Sequence, residues 1–209
     1  MKILSTEALK AKKPSEEAGM LSYISYHRLA NLSLGNRVLI RDLNEHDRDE
    51  LIAFFQQVPA EDIEFCKQDI KNPKAVDYLL NPENSPGIIS LVAVDMASHR
   101  IVASLSVHKG QHAARHVGEI RHILVSRTLQ GLGLGSLLLD KLIDLAKEGN
   151  LLWLKVEVAV EMKIVIKALQ ARSFQIRSIF DDYYVDAHGG THDVALMMRP
   201  LLMKGEKDF

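Results

Sequence analysis

Ile123-Leu124-Val125-Ser126-Arg127-Thr128-Leu129-Gln130-Gly131-Leu132-Gly133-Leu134-Gly135-Ser136 is the stretch whose reading decides the fold. An apolar, strand-like run leads into three alternating glycines, and a leucine-rich helical run, Leu137 to Ala146, follows. Strand, glycine loop and helix start together form an anion-binding unit. Glycines let the backbone approach a phosphate closely, and the first unpaired N–H groups of a helix face it with the positive end of the helix dipole. A nucleotide P-loop needs Gly-x-x-x-x-Gly-Lys followed by Ser or Thr. The first lysine after these glycines is Lys141, so that reading fails. A dinucleotide fingerprint needs Gly-x-Gly-x-x-Gly at the start of a parallel sheet. Here the third glycine comes one residue early, and hairpin strands precede it.

Upstream of this stretch, His116 to Val125 reads as the strand that enters the loop. Before it, Ile88 to Asp95 and Ile101 to His108 read as an antiparallel hairpin around the polar turn Met96 to Arg100. Further back, Arg37 to Leu43 reads as a first strand. A helix carrying Leu51, Ile52, Phe54, Phe55 and Val58 follows, ended by Pro59. A second, interrupted helical region covers Ala60 to Ile70 and Lys74 to Leu80, and Asn81 to Gly87 is a loop by composition. Downstream, Gly149-Asn150 stops the glycine-led helix, and Leu152 to Val158 is a strand. Glu161 to Arg172 is an amphipathic helix. Phe174 to Ile179 and His192 to Met198 are strands around a loop from Asp181 to Thr191.

The order β, α, α, β, β, β, α, β, α, β, β is not the alternation of a doubly wound fold. It predicts an α/β (α+β) domain with a mixed, mostly antiparallel central sheet and helices on both faces. We place this domain at residues 37–203. Residues 1–36 form an N-terminal extension with a helical stripe of Met20, Leu21, Ile24 and Leu29, and residues 204–209 a charged tail.

The composition supports one globular domain with a sizeable core: 209 residues, 47% hydrophobic and 25% charged. Twenty-six basic residues stand against 27 acidic ones, so no overall field favours nucleic acid or an anionic membrane. No apolar run approaches the length of a bilayer span, and the start of the chain lacks the apolar segment of a secretory signal. Cys66 is the only cysteine, so no intrachain disulfide forms, and the expectation is a cytoplasmic protein.

The element order, with Gln130-x-x-Gly133-x-Gly135 between a strand and a helix, resembles the GNAT acetyltransferase superfamily. That family's signature is Arg or Gln, two residues, Gly, one residue, then Gly or Ala, and the resemblance covers roughly residues 37 to 200. It implies the GNAT fold and acetyl-CoA as cosubstrate, with no metal. The backbone of Ile123, Leu124 and Val125 would bond the pantetheine arm like an added strand. The N–H groups of Gln130, Gly131, Leu132, Gly133, Leu134, Gly135 and Ser136 would hold the pyrophosphate. The reaction implied is transfer of acetyl to a primary amine (a protein lysine, an N-terminus or a small amine) by direct attack in a ternary complex. Homodimers are common among such relatives. The alternative is a non-catalytic acyl-CoA-binding or sensing module.

Acetyl transfer needs an amine that has lost its proton, a polarised carbonyl and a stabilised leaving thiolate. Some family members carry a glutamate base where Glu119 stands. Strand alternation puts Glu119, Arg121, Ile123 and Val125 on one face and His122 on the other. Glu119 reads equally as an ordinary strand glutamate paired with Arg121 or Arg115, a pairing that would keep it ionised and weaken it as a base. The family's acid is a tyrosine in a Leu-Tyr-x-x-x-Gly-Phe pattern. Here Leu169 occupies the tyrosine position and Ser173 the glycine, and Glu161 and Met162 stand where an asparagine is usual. Tyr183 and Tyr184, in the expected late loop, are the substitute acids, against the plainer reading of surface-packed loop tyrosines. His108, His112 and His116 recur every four residues, but on strand, loop and strand, so they read as loop and surface histidines rather than metal ligands. Cys66 has no histidine in a recognisable motif and reads as inert.

Overall fold

The computed structural model describes residues 27–81 and 87–201. The expected stripe residues Met20, Leu21 and Ile24, most of the loop 81–87 and the charged tail 204–209 lie outside the described residues. Leu29 is not helical. It sits in strand β1 (His27–Asn31), which pairs antiparallel with β2 (Arg37–Asp42) and extends the sheet by one edge strand. Helices α1 (Arg48–Gln57), α2 (Ala60–Ile63) and α3 (Pro73–Leu80) follow, then strands β3 (Ile88–Asp95), β4 (Ile101–Lys109) and β5 (Val117–Val125). The chain continues through α4 (Leu134–Glu148), β6 (Trp153–Ala159), α5 (Lys163–Gln170), β7 (Gln175–Val185) and β8 (Thr191–Pro200).

The eight strands form one sheet in the order β1-β2-β3-β4-β5-β6-β8-β7. Every neighbouring pair is antiparallel except β5 and β6, which run parallel across the α4 crossover. This is the mixed, mostly antiparallel sheet expected, with a core on each face. On one face, Leu134, Leu138 and Leu142 of α4 pack on Val38, Ile40, Leu91, Leu105 and Val107. On the other, Leu51, Phe54 and Phe55 of α1 pack with Val76 of α3 on Val92 and Leu124. Phe55 is fully buried, so Phe55→Ala should cost about 3–5 kcal/mol, read as a lower urea midpoint with unchanged slope.

Sandwiched between two helical layers, β4 is buried on both faces. Its polar residues Ser104, Ser106 and His108 are all buried beside His122 of β5. His108 is therefore not a surface histidine. The polar groups satisfy one another: Ser104 Oγ lies 3.1 Å from His122 Nε2, and Ser106 Oγ lies 3.1 Å from both His122 Nδ1 and His108 Nε2. The late loop is also shorter than expected. Strand β7 runs on to Val185, with Asp181 to Tyr183 bulged out between the pairs Phe180–Val194 and Tyr184–His192.

Candidate functional site

The site is made by one irregularity in β5. Ile120 lies opposite Val107 of β4 and His122 lies opposite Ser106, so Arg121 has no opposite residue and forms a β-bulge. The bulge reverses the facing of everything before it. Ile120 joins the α4-side core and Leu124 the α1-side core, although four residues apart they would share a side in a regular strand. Glu119, opposite His108, consequently shares the α1 face with His122, while Ile123 and Val125 pack toward α4. The single face expected for Glu119, Arg121, Ile123 and Val125 is thus corrected.

Past the bulge, β5 and β6 separate. Their pairing covers only Val117–Ile120 against Trp153–Val156, although β5 continues to Val125 and β6 to Ala159. His122 to Val125 keep their pairing with β4 and leave their other edge without a partner strand. The resulting cleft, about 570 Å³ and open to solvent, lies between Ile120–Leu124 and Val156–Ala159. Phe65, Cys66, Met162 and Val165 also line it.

The open edge leads into the glycine loop. Gly131 and Gly133 have φ of +76° and +89°, which only glycine adopts without strain, and a Cβ on either would point into open space. Gly133 caps α4, and the first amide to close a bond onto it is that of Leu137, donating to Gly133 O at 3.0 Å. The amides of Gly131, Gly133, Leu134, Gly135 and Ser136 have no acceptor among the described residues. The Gln130 side chain instead donates from Nε2 to Val125 O at 3.1 Å and ties the loop back to the strand. Arg172 braces the start of α4 through Ser136 O and Asp140.

At the splay point Glu119 stands in a polar network that sequence reading missed. Lys67, from the segment between α2 and α3, bridges Glu119 Oε1 at 2.6 Å and Glu157 Oε2 at 2.9 Å. Arg121 and Lys155 lie 3.7 Å from Glu119 Oε2. Burial pushes the Glu119 carboxyl up, but the Lys67 hydrogen bond and the three cations outweigh it and hold the group below its ordinary value. The network continues to Tyr184, whose hydroxyl is 3.5 Å from Glu157 Oε2 and whose ring stacks on Phe65. Burial, helped by Glu157, raises the Tyr184 phenol to about 12, so it stays protonated. Both tyrosines lie on β7 rather than in the expected loop. Tyr183 is more than half exposed and packs on Phe180 and Tyr184, apart from the Glu119 network. No local sequence motif links Lys67 to Glu119, 52 positions away. Glu157 carried a signal: with Lys155 it is one of two charged residues in an otherwise apolar strand.

Three histidines and Cys66 lie outside this ion-pair network. Burial depresses His122 to about 3 and His108 to about 4, so both are neutral partners of serines. His192 lies 3.1 Å from both Glu161 and Asp186, which raise its pKa, and it fastens the β7–β8 hairpin to the residues before α5. Burial raises the Cys66 thiol to about 11, which removes its nucleophilic form at neutral pH. Leu169, in the position of the missing tyrosine, is fully buried core. Among the described residues no group of three His, Cys, Asp or Glu side chains is arranged to hold a metal, and no helix is long and apolar enough to cross a membrane.

Lys67 is the keystone of this network. Lys67→Met would leave two half-buried carboxylates facing each other. The Glu119 pKa is lowered in the folded state, so its stabilising contribution is present above the ordinary value of 4.5 and is lost as pH falls through the folded value. Lys67, raised in the folded state, contributes below its ordinary 10.5. We expect the variant to lose about 1–2 kcal/mol at neutral pH, a figure kept small because the pair is partly solvated. In urea titrations the difference should shrink as pH falls below 4.5 and through the folded value, and an equal loss at every pH would remove the ion pair as the cause.

An open strand edge running into a cradle of unpaired amides at a helix start has the shape and polarity to receive an extended, anion-bearing ligand. The model of the acetyltransferase (GNAT) family matches residues 45–166, and the chain belongs to that family. Solved structures agree on the fold. An acetyltransferase of the GNAT family from Streptococcus pneumoniae superposes with a TM-score of 0.66 at 24% identity, covering 78% of this chain and 99% of that one. A ribosomal-protein-alanine N-acetyltransferase from Brucella melitensis gives 0.68 at 21% identity, covering 78% and 99%. The GNAT domain of S. lividans PAT gives 0.67 at 20% identity, covering 84% and 97%. No curated protein sequence matches the chain.

Proposed function

We propose that the chain is an acetyl-CoA-dependent N-acetyltransferase that acts on a primary amine by direct attack in a ternary complex. The observation that carries this reading is the separation of β5 from β6, which leaves a free strand edge between the Glu119–Lys67–Glu157 network at one end and the amide cradle at the other. Residues 123–125 would bond the amide-bearing arm of the cosubstrate as an added strand. The amides of Gly131 and of residues 133–136 would hold its pyrophosphate, whereas those of Gln130 and Leu132, expected to join them, already donate to Arg127 O and Leu129 O; the cradle accepts an anion without a lysine because the helix dipole supplies the positive end. Bound acetyl-CoA supplies a thioester carbonyl to the splay point.

The acceptor nitrogen attacks that carbonyl carbon, so a C–N bond forms, the C–S bond breaks, and its electron pair leaves on sulfur. Glu119 takes the nitrogen's proton, directly or through a water. Its depressed pKa makes it a weak base that is always ready, and Lys67 holds it in place. Tyr184, protonated at any working pH, is the proton donor to sulfur within the same network. The acceptor is a protein lysine, a protein N-terminus or a small amine.

The second reading, a non-catalytic acyl-CoA-binding module, is favoured by Leu169 at the usual acid position. Thiol release from acetyl-CoA, measured across amines and lysine peptides, separates the two. Amine-dependent release supports the transferase; CoA-induced thermal stabilisation without release on any acceptor supports the binding module.

A further inference from the structure

A second cavity, about 1100 Å³ and open to solvent, reaches Glu119 away from the cleft. It is lined by His108, Lys109, Glu119, Arg121 and Lys155, with Tyr78 of α3 among its walls. Three permanent cations therefore face one carboxylate, and that carboxylate is already bound to Lys67. Two buried polar atoms of this lining, Arg121 Nε and His108 Nδ1, have no hydrogen-bond partner among the described residues. No carboxylate among the described residues pairs with Lys109. Orphaned polar groups of this kind are costly and rare, and they mark a place where a ligand completes the bonding.

We propose that this cavity receives the acceptor and that the acceptor carries a carboxylate or similar anion a few bonds from its amine, held by Lys109, Arg121 and Lys155. The inference rests on the transferase reading and names the substrate class of that site. Arg121 is suited to the task, because its planar guanidinium grips a carboxylate through two parallel bonds. The β-bulge sets that guanidinium beside Glu119, so the anion is fixed next to the base. The same cations have a second effect. Like charges disfavour an ammonium, so an amine entering among them gives up its proton more readily, and Glu119 needs to be less basic.

The test compares acceptors differing only in that charge: β-alanine against β-alaninamide, and δ-aminovalerate against its amide. Thiol release is measured with saturating acetyl-CoA, and thermal shift with CoA bound. A charge-assisted contact of this kind is worth about tenfold or more in kcat/KM, carried mainly by KM. Arg121→Gln should bring the acid-to-amide ratio toward one. Lys109→Glu, on a half-exposed side chain that leaves the core intact, should invert it. Turnover with equal kcat/KM for acid and amide overturns this inference and leaves the transferase reading standing. Stabilisation by the acids with no thiol release overturns the assignment of this cavity to the acceptor, and release on lysine peptides in the same assay then keeps the transferase reading. Neither turnover nor stabilisation with any acid overturns the inference.

Discussion

Glu119→Gln should lower kcat/KM by about 100-fold to 10,000-fold at neutral pH while leaving the affinity for CoA near that of the wild type. Glutamine keeps the size and one acceptor oxygen for Lys67 but takes no proton. The pH dependence distinguishes this loss from a structural one. Glu119 is held below the ordinary carboxylate value by Lys67, Lys155 and Arg121 against the opposing effect of burial, so it is fully ionised throughout the neutral range. Any rise of wild-type kcat/KM above neutral pH therefore belongs to the acceptor amine. The variant should show a lower plateau with the rise in the same place. A variant with wild-type turnover at every pH would return Glu119 to the role of an ordinary strand carboxylate and leave water as the base. Glu119→Gln should also lose stability at neutral pH and little at acid pH, since the depressed carboxylate stabilises only when charged.

Gly133→Val should raise KM for acetyl-CoA by about 100-fold or more, because two or more charge-assisted hydrogen bonds from the cradle are lost, each worth about 1.5–3 kcal/mol. Gly133 has φ of +89° and caps α4. A β-branched residue there must leave that conformation or carry the strain, at about 1–2 kcal/mol, and in leaving it would turn the amides away from the anion. A Cβ at Gly133 meets nothing within 4 Å, so the effect is on backbone direction and ligand access rather than on packing. Loss of CoA-induced thermal stabilisation, with a modest drop in the melting point of the free protein, is the expected pair of readings. Gly135→Ala is the contrast: its Cβ would meet only Val125 Cγ2 at 3.5 Å, an ordinary contact, and binding should fall little. Equal effects from the two substitutions would mean that the loop geometry does not set affinity.

What the sequence alone determined is local. The apolar run, the alternating glycines and the leucine stripe place strand, loop and helix start from Ile123 to Ala146, because glycine conformation, helix periodicity and dipole direction are properties of a few neighbouring residues. The hairpin before them and the two-faced sheet were legible for the same reason. Tertiary structure alone decided which side chains meet at Glu119. The bulge at Arg121 is a misfit between two strands, invisible in either one, and it reverses the face that strict alternation gives Glu119. Lys67 comes from 52 positions away and Glu157 from a parallel neighbour, so no spacing rule connects them. Burial of β4 between two helical layers turned a polar alternation into a sealed serine–histidine network. The amide cradle is thus written in the chain, whereas the cluster around Glu119 exists only where the parted strands and the α2–α3 segment converge.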